Sequence, residues 1–334
     1  MAATNLEIWQ SAQVIEVREV AQDIKTIVLR QSKPIKAAAG SHIDLMLSVD
    51  GETVRRSYSV VSQSADLLDL SIAVFRVKNS RGGSIAMHHL EVGDQLQITQ
   101  PLQNFPLRIG AKNYVILAGG IGVTALIEMS RILKSVNAEY KFVYAARSRA
   151  AMSFKTELEQ MHGDKLQTFI DDEGNPLNVD DLLADLPRDT ELYMCGPIRL
   201  MDAVRRKWID SGFELTNLRY ETFGASGWFE SESFLVRVPN QELEVLVDQK
   251  HSMLEALEAA GLEVMADCRK GECGLCELKL LNFTGQIDHR DVFLSEHQKS
   301  EGQKIISCVS RLVATQPAGE GAPGEQATLE IFVE

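Results

Sequence analysis

At 334 residues, with 45% hydrophobic and 24% charged positions, the chain has the composition of an ordinary soluble protein and the length for two or three separate cores. Its formal net charge of −13 argues against nucleic acid or an anionic membrane surface as partner, because either would repel it. The opening Met-Ala-Ala-Thr-Asn-Leu-Glu lacks a basic region followed by an apolar one, and the longest apolar run, 115–127, is broken by glycines and shorter than the roughly 18 residues of a membrane span, so a cytoplasmic, reducing location is expected.

The first third reads as short strands split by turn residues, at 12–17, 24–30, 42–47, 56–60, 68–74 and 94–98. Strands this evenly spaced suggest a closed antiparallel barrel. Val54-Arg-Arg56-Ser57-Tyr58-Ser59 lies on one of them, where alternation puts Arg56 and Tyr58 on one face and Ser57 and Ser59 on the other, unless a bulge intervenes. Arg81-Gly82-Gly83-Ser84 then opens a short helix expected over 85–90. Glycines and a serine at a helix start form a seat for phosphate, with bare N–H groups facing the anion. Taken singly, each of these has a plainer explanation: a solvent-facing arginine, a barrel-packing tyrosine, an ordinary loop and cap.

After Pro101-Leu-Gln-Asn-Phe-Pro-Leu107 the pattern switches to alternating units, with strands at 113–118, 141–145, 166–170 and 191–194 and helices at 123–133, 154–161 and 179–186. Such alternation implies a parallel sheet covered by helices, with ligands at the carboxyl ends of the strands. Gly119-Gly120-Ile-Gly122 follows the first of these strands. It lacks the full G-x-G-x-x-G spacing, and its weight comes from standing between a strand and a helix. Cys195-Gly196-Pro197 ends a later strand, and Cys195 alone would read as a small buried apolar residue.

The last third opens on a polar, glycine-bearing linker, 224–233, followed by a hairpin at 234–238 and 243–247. Ser252-Met-Leu-Glu255 is a capping-box start for a helix ending at Gly261. Then comes Cys268-Arg-Lys-Gly-Glu-Cys273-Gly-Leu-Cys276, with Cys308 after 31 further residues, which matches the plant-type ligand spacing for an iron–sulfur cluster. Gly271 and Gly274 let this loop curl and aim backbone N–H groups at the sulfurs. A structural zinc site competes, but zinc sites usually pair C-x2-C with a second close pair, and here the fourth cysteine stands alone. Five cysteines are an odd number for disulfides. Asp288-His289-Arg290-Asp291 is surface charge or a partner contact, and His289 is taken as surface charge. Residues 315–326 are Pro/Gly-rich, a mobile loop before a final strand at 328–333. From Phe229 onward there are 9 Lys+Arg against 19 Asp+Glu, so this third carries −10 of the −13.

Arg-x-Tyr-Ser followed by a Gly-Gly-Ser helix start resembles the flavin barrel of the ferredoxin–NADP reductase superfamily. With the nicotinamide and ferredoxin motifs in this order over nearly the whole chain, the sequence resembles the phthalate dioxygenase reductase family. The resemblance implies a multidomain protein: an antiparallel β-barrel for flavin (1–107), an α/β parallel-sheet domain for NAD(P)H (108–224), and an α+β β-grasp ferredoxin (225–334). It implies FMN, with FAD as the lesser alternative, a 2Fe-2S cluster held by Cys268, Cys273, Cys276 and Cys308, and NADH as donor. Tyr58 would lie against the isoalloxazine ring, Ser57 or Ser59 at its N5 edge, Arg56, Gly82, Gly83 and Ser84 on the phosphate, and Ala73 and Val74 along the flavin. Gly119, Gly120, Gly122, Thr124 and Arg147 would meet the nucleotide. Cys195, Gly196, Pro197 and Phe223 would surround the nicotinamide, with Ser59 and Cys195 next to the hydride transfer.

The family's glycine turn usually continues Thr-Pro, and here it is Thr124-Ala125; proline at a first helical turn only preorganises it, so function should survive. Ala146-Arg147-Ser148-Arg149 offers no acid for a ribose hydroxyl and leans towards tolerating NADPH, whereas the family resemblance favours NADH. The implied activity passes a hydride from NADH to flavin, then single electrons through the cluster to a Rieske-type aromatic-ring dioxygenase or O-demethylase. A monomer is expected. Two alternatives remain: a reductase feeding a separate ferredoxin, a diiron hydroxylase or ferric chelates, and a non-catalytic zinc-holding sensor.

Overall fold

Period-two alternation in the first hundred residues gives strands β1 (Trp9–Ala21), β2 (Ile24–Gln31), β3 (Ser41–Val49), β4 (Glu52–Gln63) and β5 (Asp69–Phe75), a short helix α1 (Gly83–His88), and strands β6 (Gln95–Thr99) and β7 (Leu102–Gln103). The structure is a computed structural model that describes residues 7–78, 80–224, 227–314 and 326–333. The first six strands run in the order β4-β5-β2-β1-β6-β3, and β3 pairs with β4 to close the barrel. Inward residues such as Val14, Leu29, Ile43, Leu45, Ile72 and Ile98 fill it. Helix α1 starts two residues earlier than the pattern suggests, because Gly82, at φ +88°, makes the turn that admits it.

The second part of the chain alternates as expected: β8 (Asn113–Gly119), α2 (Ile127–Ser135), β9 (Tyr140–Ala146), α3 (Lys155–His162), β10 (Leu166–Ile170), α4 (Val179–Ala184), β11 (Thr190–Cys195), α5 (Ile198–Asp210) and β12 (Leu218–Glu221). All five strands are parallel, in the order β10-β9-β8-β11-β12. The helix expected over 123–133 is split, with a 3-10 turn over Gly120–Ala125 before α2 begins at Ile127. Helix α5 and strand β12 go beyond the sequence expectation. Trp208 of α5 is fully buried, stacks on Phe213 and donates its indole N–H to the Glu214 carbonyl.

Strands β13 (Phe234–Val238) and β14 (Leu243–Val247) form the expected hairpin, and α6 (Met253–Ala259) carries the expected capping box between Ser252 and Glu255. Then follow β15 (Glu277–Thr284), β16 (Gln286–Asp288), α7 (Glu296–Glu301), β17 (Lys304–Ile306), β18 (Arg311–Val313) and β19 (Thr328–Phe332). The sheet order β14-β13-β19-β15-β17, with β13 and β19 parallel and α6 packed on one face, is the β-grasp arrangement.

The chain divides into two compact units, Met1–Gly196 with Ala203–Glu221, and Pro197–Asp202 with Thr222–Glu334. Within the first, Val61, Ala73 and Phe105 share one apolar cluster with Tyr114, Ile116 and Val123, so barrel and parallel sheet are packed as one body. Among the described residues no helix is long and apolar enough to cross a membrane.

Candidate functional site: a flavin seat, a strand switch point and a thiol loop

On β4, period-two alternation sends successive side chains to opposite faces. Tyr58 packs with Val54 and Val60 against the barrel core, and burial pushes its phenol pKa up. Arg56 runs alongside Gly83: a Cβ there would sit 2.7 Å from Arg56 Nε and 2.9 Å from its Cγ. Glycine at 83 therefore makes room for the guanidinium stem at the start of α1, and the pair fits a phosphate site. The Ser84 hydroxyl accepts from Val77 N–H at 3.1 Å and donates to Ser80 at 2.9 Å, so it shapes the loop entering α1. Ser57 donates to the Asp44 carboxylate, which also accepts from Arg55. Burial alone would raise the Asp44 carboxyl, but Ser57, His42 and Arg55 together hold it below the usual carboxylate range. Ala73 and Val74 are buried on β5.

The parallel sheet reverses its winding between β8 and β11, which makes their carboxyl ends a topological switch point. Gly119 ends β8 and Gly120 to Gly122 follow it, and Cys195, paired in register with Ala118, ends β11. A Cβ on Gly122 would lie 2.2 Å from the Cys195 carbonyl oxygen, so only glycine permits this approach of the two strand ends. The Thr124 hydroxyl donates to Ile121 O at 2.9 Å and closes the 3-10 turn. On the far side of Cys195, Glu221 pairs with it in register, is 2% exposed, and accepts a hydrogen bond of 3.3 Å from Ser59. Ser59, Cys195 and Glu221 thus converge on one buried corner. Glu221 was not among the residues expected from the sequence; its signal is a carboxylate placed on the last residue of the final parallel strand.

Past β9, Arg147 is exposed and makes no ion pair among the described residues, while Arg149 is held by Glu173 at 2.7 and 2.6 Å. Gly196 belongs to the first unit, and Pro197 and the half-exposed Phe223 to the second.

In the second unit the four remaining cysteines come together as two pairs. Cys268 is hydrogen-bonded to Cys273, and Cys276 to Cys308. Three backbone N–H groups, from Lys270, Glu272 and Cys273, point at Cys268 Sγ at 3.4, 3.5 and 3.4 Å. The loop turns at Gly271 and Gly274, at φ +79° and +77°. The proton shared with Cys308 draws the Cys276 thiol down to about 6 and leaves Cys308 high. Among the described residues no three His, Cys, Asp or Glu side chains close around a single metal ion. Two thiol pairs with N–H donors to sulfur suit a two-iron cluster, one pair per iron, better than one tetrahedral zinc. Glu272 accepts from both the N–H and the hydroxyl of Thr222, and so ties the start of the linker to this loop.

One expectation needs correction. The Asp288–Asp291 stretch is internal, not surface charge: Asp288, Arg290 and Asp291 are buried, and the His289 side chain is 11% exposed. Arg290 pairs with Asp288 and reaches Phe229 O at 3.1 Å, while Asp288 accepts from Trp228 N–H, so this stretch clasps the linker. The loop expected at 315–326 falls, apart from Gln326, outside the described residues, as do linker residues 225 and 226.

Two family models match the chain, an oxidoreductase FAD-binding domain over residues 11–106 and a 2Fe-2S iron-sulfur cluster binding domain over residues 236–313. The carnitine monooxygenase reductase subunit of Acinetobacter baumannii is 31% identical over 275 residues, 82% of this chain and 85% of the relative. The heme-dependent oxidative N-demethylase beta subunit of Ectopseudomonas mendocina is 35% identical over 277 residues, 82% of this chain and 86% of the relative. Among solved structures, phthalate dioxygenase reductase, described as a modular structure for electron transfer from pyridine nucleotides to 2Fe-2S, superposes with a TM-score of 0.72 at 27% identity, covering 97% of this chain and 98% of that one.

Proposed function

Because the chain belongs to the phthalate dioxygenase reductase family, we propose that it is the NADH-dependent reductase component of an oxygenase system. The observation that carries this is the presence, in one polypeptide, of an Arg56–Gly83 phosphate seat, a nucleotide switch point at Cys195 and two thiol pairs on the 268–276 loop and Cys308. Bound flavin and a 2Fe-2S cluster supply the conversion of a two-electron hydride into single electrons.

The chain's own residues bind, orient and exclude water. We assign three functional modules, 1–107 for flavin, 108–224 for the nicotinamide nucleotide and 225–334 for the cluster. Arg56, Gly82, Gly83 and Ser84 hold a terminal phosphate, which supports FMN over FAD. Tyr58 backs the flavin ring, with Ala73 and Val74 beside it. Of the two candidate serines, Ser59 is the one nearest the hydride transfer, since the Ser57 hydroxyl is committed to Asp44. Glu221 orients the Ser59 hydroxyl, and Cys195 sits against the nicotinamide. Gly119, Gly120, Gly122, Thr124, Gly196, Pro197 and Phe223 complete the nucleotide contacts. Arg149 is neutralised by Glu173, which leaves Arg147 alone to meet a 2′-phosphate and supports NADH as the preferred donor. Cys268, Cys273, Cys276 and Cys308 ligate the cluster.

The acceptor is an oxygenase, as the names of the relatives suggest, and a Rieske-type enzyme acting on an aromatic ring is the specific partner proposed. The chain would act as a monomer in the cytosol, a reducing compartment that suits five cysteines none of which is in a disulfide. The anaerobic visible spectrum tests the reading. Flavin absorption and broad iron–sulfur bands should both bleach on adding NADH, whereas a colourless zinc protein would contradict it. Cys273→Ser should abolish delivery to the oxygenase and spare most of the NADH-to-flavin reduction; equal loss of both in a folded protein would contradict the relay.

A further inference from the structure

Behind the thiol loop lies a set of charged side chains with no part in holding the thiols. Asp291 is completely buried. Its Oδ2 accepts from Leu294 N–H at 2.8 Å and its Oδ1 from the Ser310 hydroxyl at 3.2 Å, while the next residue, Val292, donates its N–H to Gly271 O at 3.1 Å. Gly271 lies between Cys268 and Cys273, and Ser310 stands two residues past Cys308. The loop packs so close that a Cβ on Gly271 would be 3.1 Å from Asp291 Cα. Asp291, bonded to Ser310, and its neighbour Val292, bonded to Gly271, therefore brace both halves of the ligand set.

Lys299 joins it from α7. Its side chain is 10% exposed, and its Nζ donates to Asp291 O at 3.0 Å and lies 3.5 Å from Asp202 Oδ1 and 3.9 Å from Glu296. His289 Nδ1 stands 3.5 Å from Asp291 Oδ1. Burial alone would raise the Asp291 carboxyl, but His289, Lys299 and the Leu294 N–H outweigh it and hold the group below the usual carboxylate range, so it is charged at neutral pH. The plain alternative is that Asp291 only forms a turn through Leu294 N–H. That explains one of its bonds, not the bond from Ser310 or the buried ammonium beside it, and an uncharged asparagine would serve equally well.

Charges in a low-dielectric interior act more strongly and over longer range than at a surface, and the potential of an iron–sulfur centre responds to net charge and hydrogen bonding around it. Building on the reading that the four cysteines hold a 2Fe-2S cluster, we propose that Asp291 and Lys299 are positioning residues of that centre whose opposite charges set its reduction potential. The carboxylate repels an incoming electron and lowers the potential, and the ammonium raises it. Neither touches substrate, and both act through the Gly271 and Cys308 segments.

The test uses the full chain loaded with its cofactors, with Asp291→Asn, Lys299→Met and the charge-conserving Lys299→Arg. The cluster potential is read by redox titration followed by electron paramagnetic resonance of the reduced centre. Asp291→Asn should shift the potential upward, Lys299→Met downward, and Lys299→Arg should stay near wild type, with the flavin potential unmoved in all three. If Asp291→Asn does not retain the cluster, Asp202→Asn takes its place, since it leaves Lys299 less balanced and should also shift the potential upward. Unmoved potentials in variants that keep the cluster, or shifts of the same sign for Asp291→Asn and Lys299→Met, would overturn the proposal. A wild-type protein with no iron–sulfur spectrum would overturn the underlying cluster assignment and this proposal with it, whereas a normal spectrum with unmoved potentials overturns this proposal alone.

Discussion

Replacing Gly122 with alanine is the smallest change that tests the nucleotide corner. The added methyl would stand 2.2 Å from the Cys195 carbonyl oxygen and 2.8 Å from the Gly196 nitrogen, against an ordinary contact of 3.4 Å or more, so the turn after β8 must retreat from the end of β11 by about 1.2 Å. Both atoms are backbone, so no side-chain rotation relieves the clash. Overpacking of this kind costs about 1–3 kcal/mol of stability, which a domain of this size tolerates. The functional cost should be larger, because a misplacement of about 1 Å at a reacting centre can lower the rate on the order of 100-fold. Stopped-flow reduction of the flavin by NADH reads this directly, with flavin and iron content measured on the same sample. The expected variant keeps both cofactors and reduces its flavin about 100-fold more slowly. A variant that is fully loaded and reduces at the wild-type rate would refute the placement of nicotinamide beside Cys195.

Removing the Arg56 guanidinium takes away charge-assisted hydrogen bonds worth about 1.5–3 kcal/mol, so Arg56→Ala should weaken flavin binding by roughly 10- to 100-fold in a fluorescence titration of the apoprotein. An unchanged affinity would move the phosphate elsewhere. His162 gives a pH dependence: it is buried between Tyr140, whose hydroxyl donates to Nδ1 at 2.7 Å, and Ser130, whose oxygen accepts from Nε2 at 3.0 Å. Burial first, then Lys134 and Arg131, push its pKa down to about 4. The unfolded chain binds this proton below about 6.5 and the folded chain does not, so stability is whole above pH 6.5 and falls as pH drops towards 4, by at most about 3 kcal/mol. Urea unfolding of wild type and His162→Gln across that window should converge at low pH; parallel curves would refute the assignment.

The barrel strands and the 234–247 hairpin were legible within a few residues because alternation is a local property that tertiary packing reinforces. The sequence pattern starts helix α2 at 123 rather than at Ile127, because 3-10 winding depends on how close the turn must come to Cys195, a distance invisible in sequence. Glu221 escaped notice for a similar reason: β12 has four residues, and the carboxylate matters only through register with Cys195 and a bond to Ser59, 162 positions away. Four consecutive polar residues at 288–291 look like surface because charged residues are seldom buried unless paired, and pairing is settled by tertiary partners such as Phe229, Ser310 and Lys299. The thiol loop is readable from its own short spacings, whereas the approach of Cys308 and the bond from Val292 N–H to Gly271 O depend on tertiary packing.

That internal pairing bears on how an acceptor is recognised. The last third carries 19 acidic and 9 basic residues, and among its described residues the buried charged members are two of each, Asp288 and Asp291 with Arg290 and Arg311. Removing them leaves 17 against 7, still −10, so the core absorbs none of the acidic excess and the imbalance belongs to the remaining residues. An excess of one sign at the surface steers a partner of the other sign, and the effect fades as the screening length falls from about 10 Å at 0.1 M salt to 3 Å at 1 M. Electron delivery to the oxygenase should therefore slow steeply with ionic strength through its apparent second-order rate constant. Reduction of the flavin by saturating NADH, a step inside one chain, should barely change. Delivery that is indifferent to salt, measured beside an equally indifferent internal step, would show that the acceptor docks by apolar contact and that the acidic surface serves solubility alone.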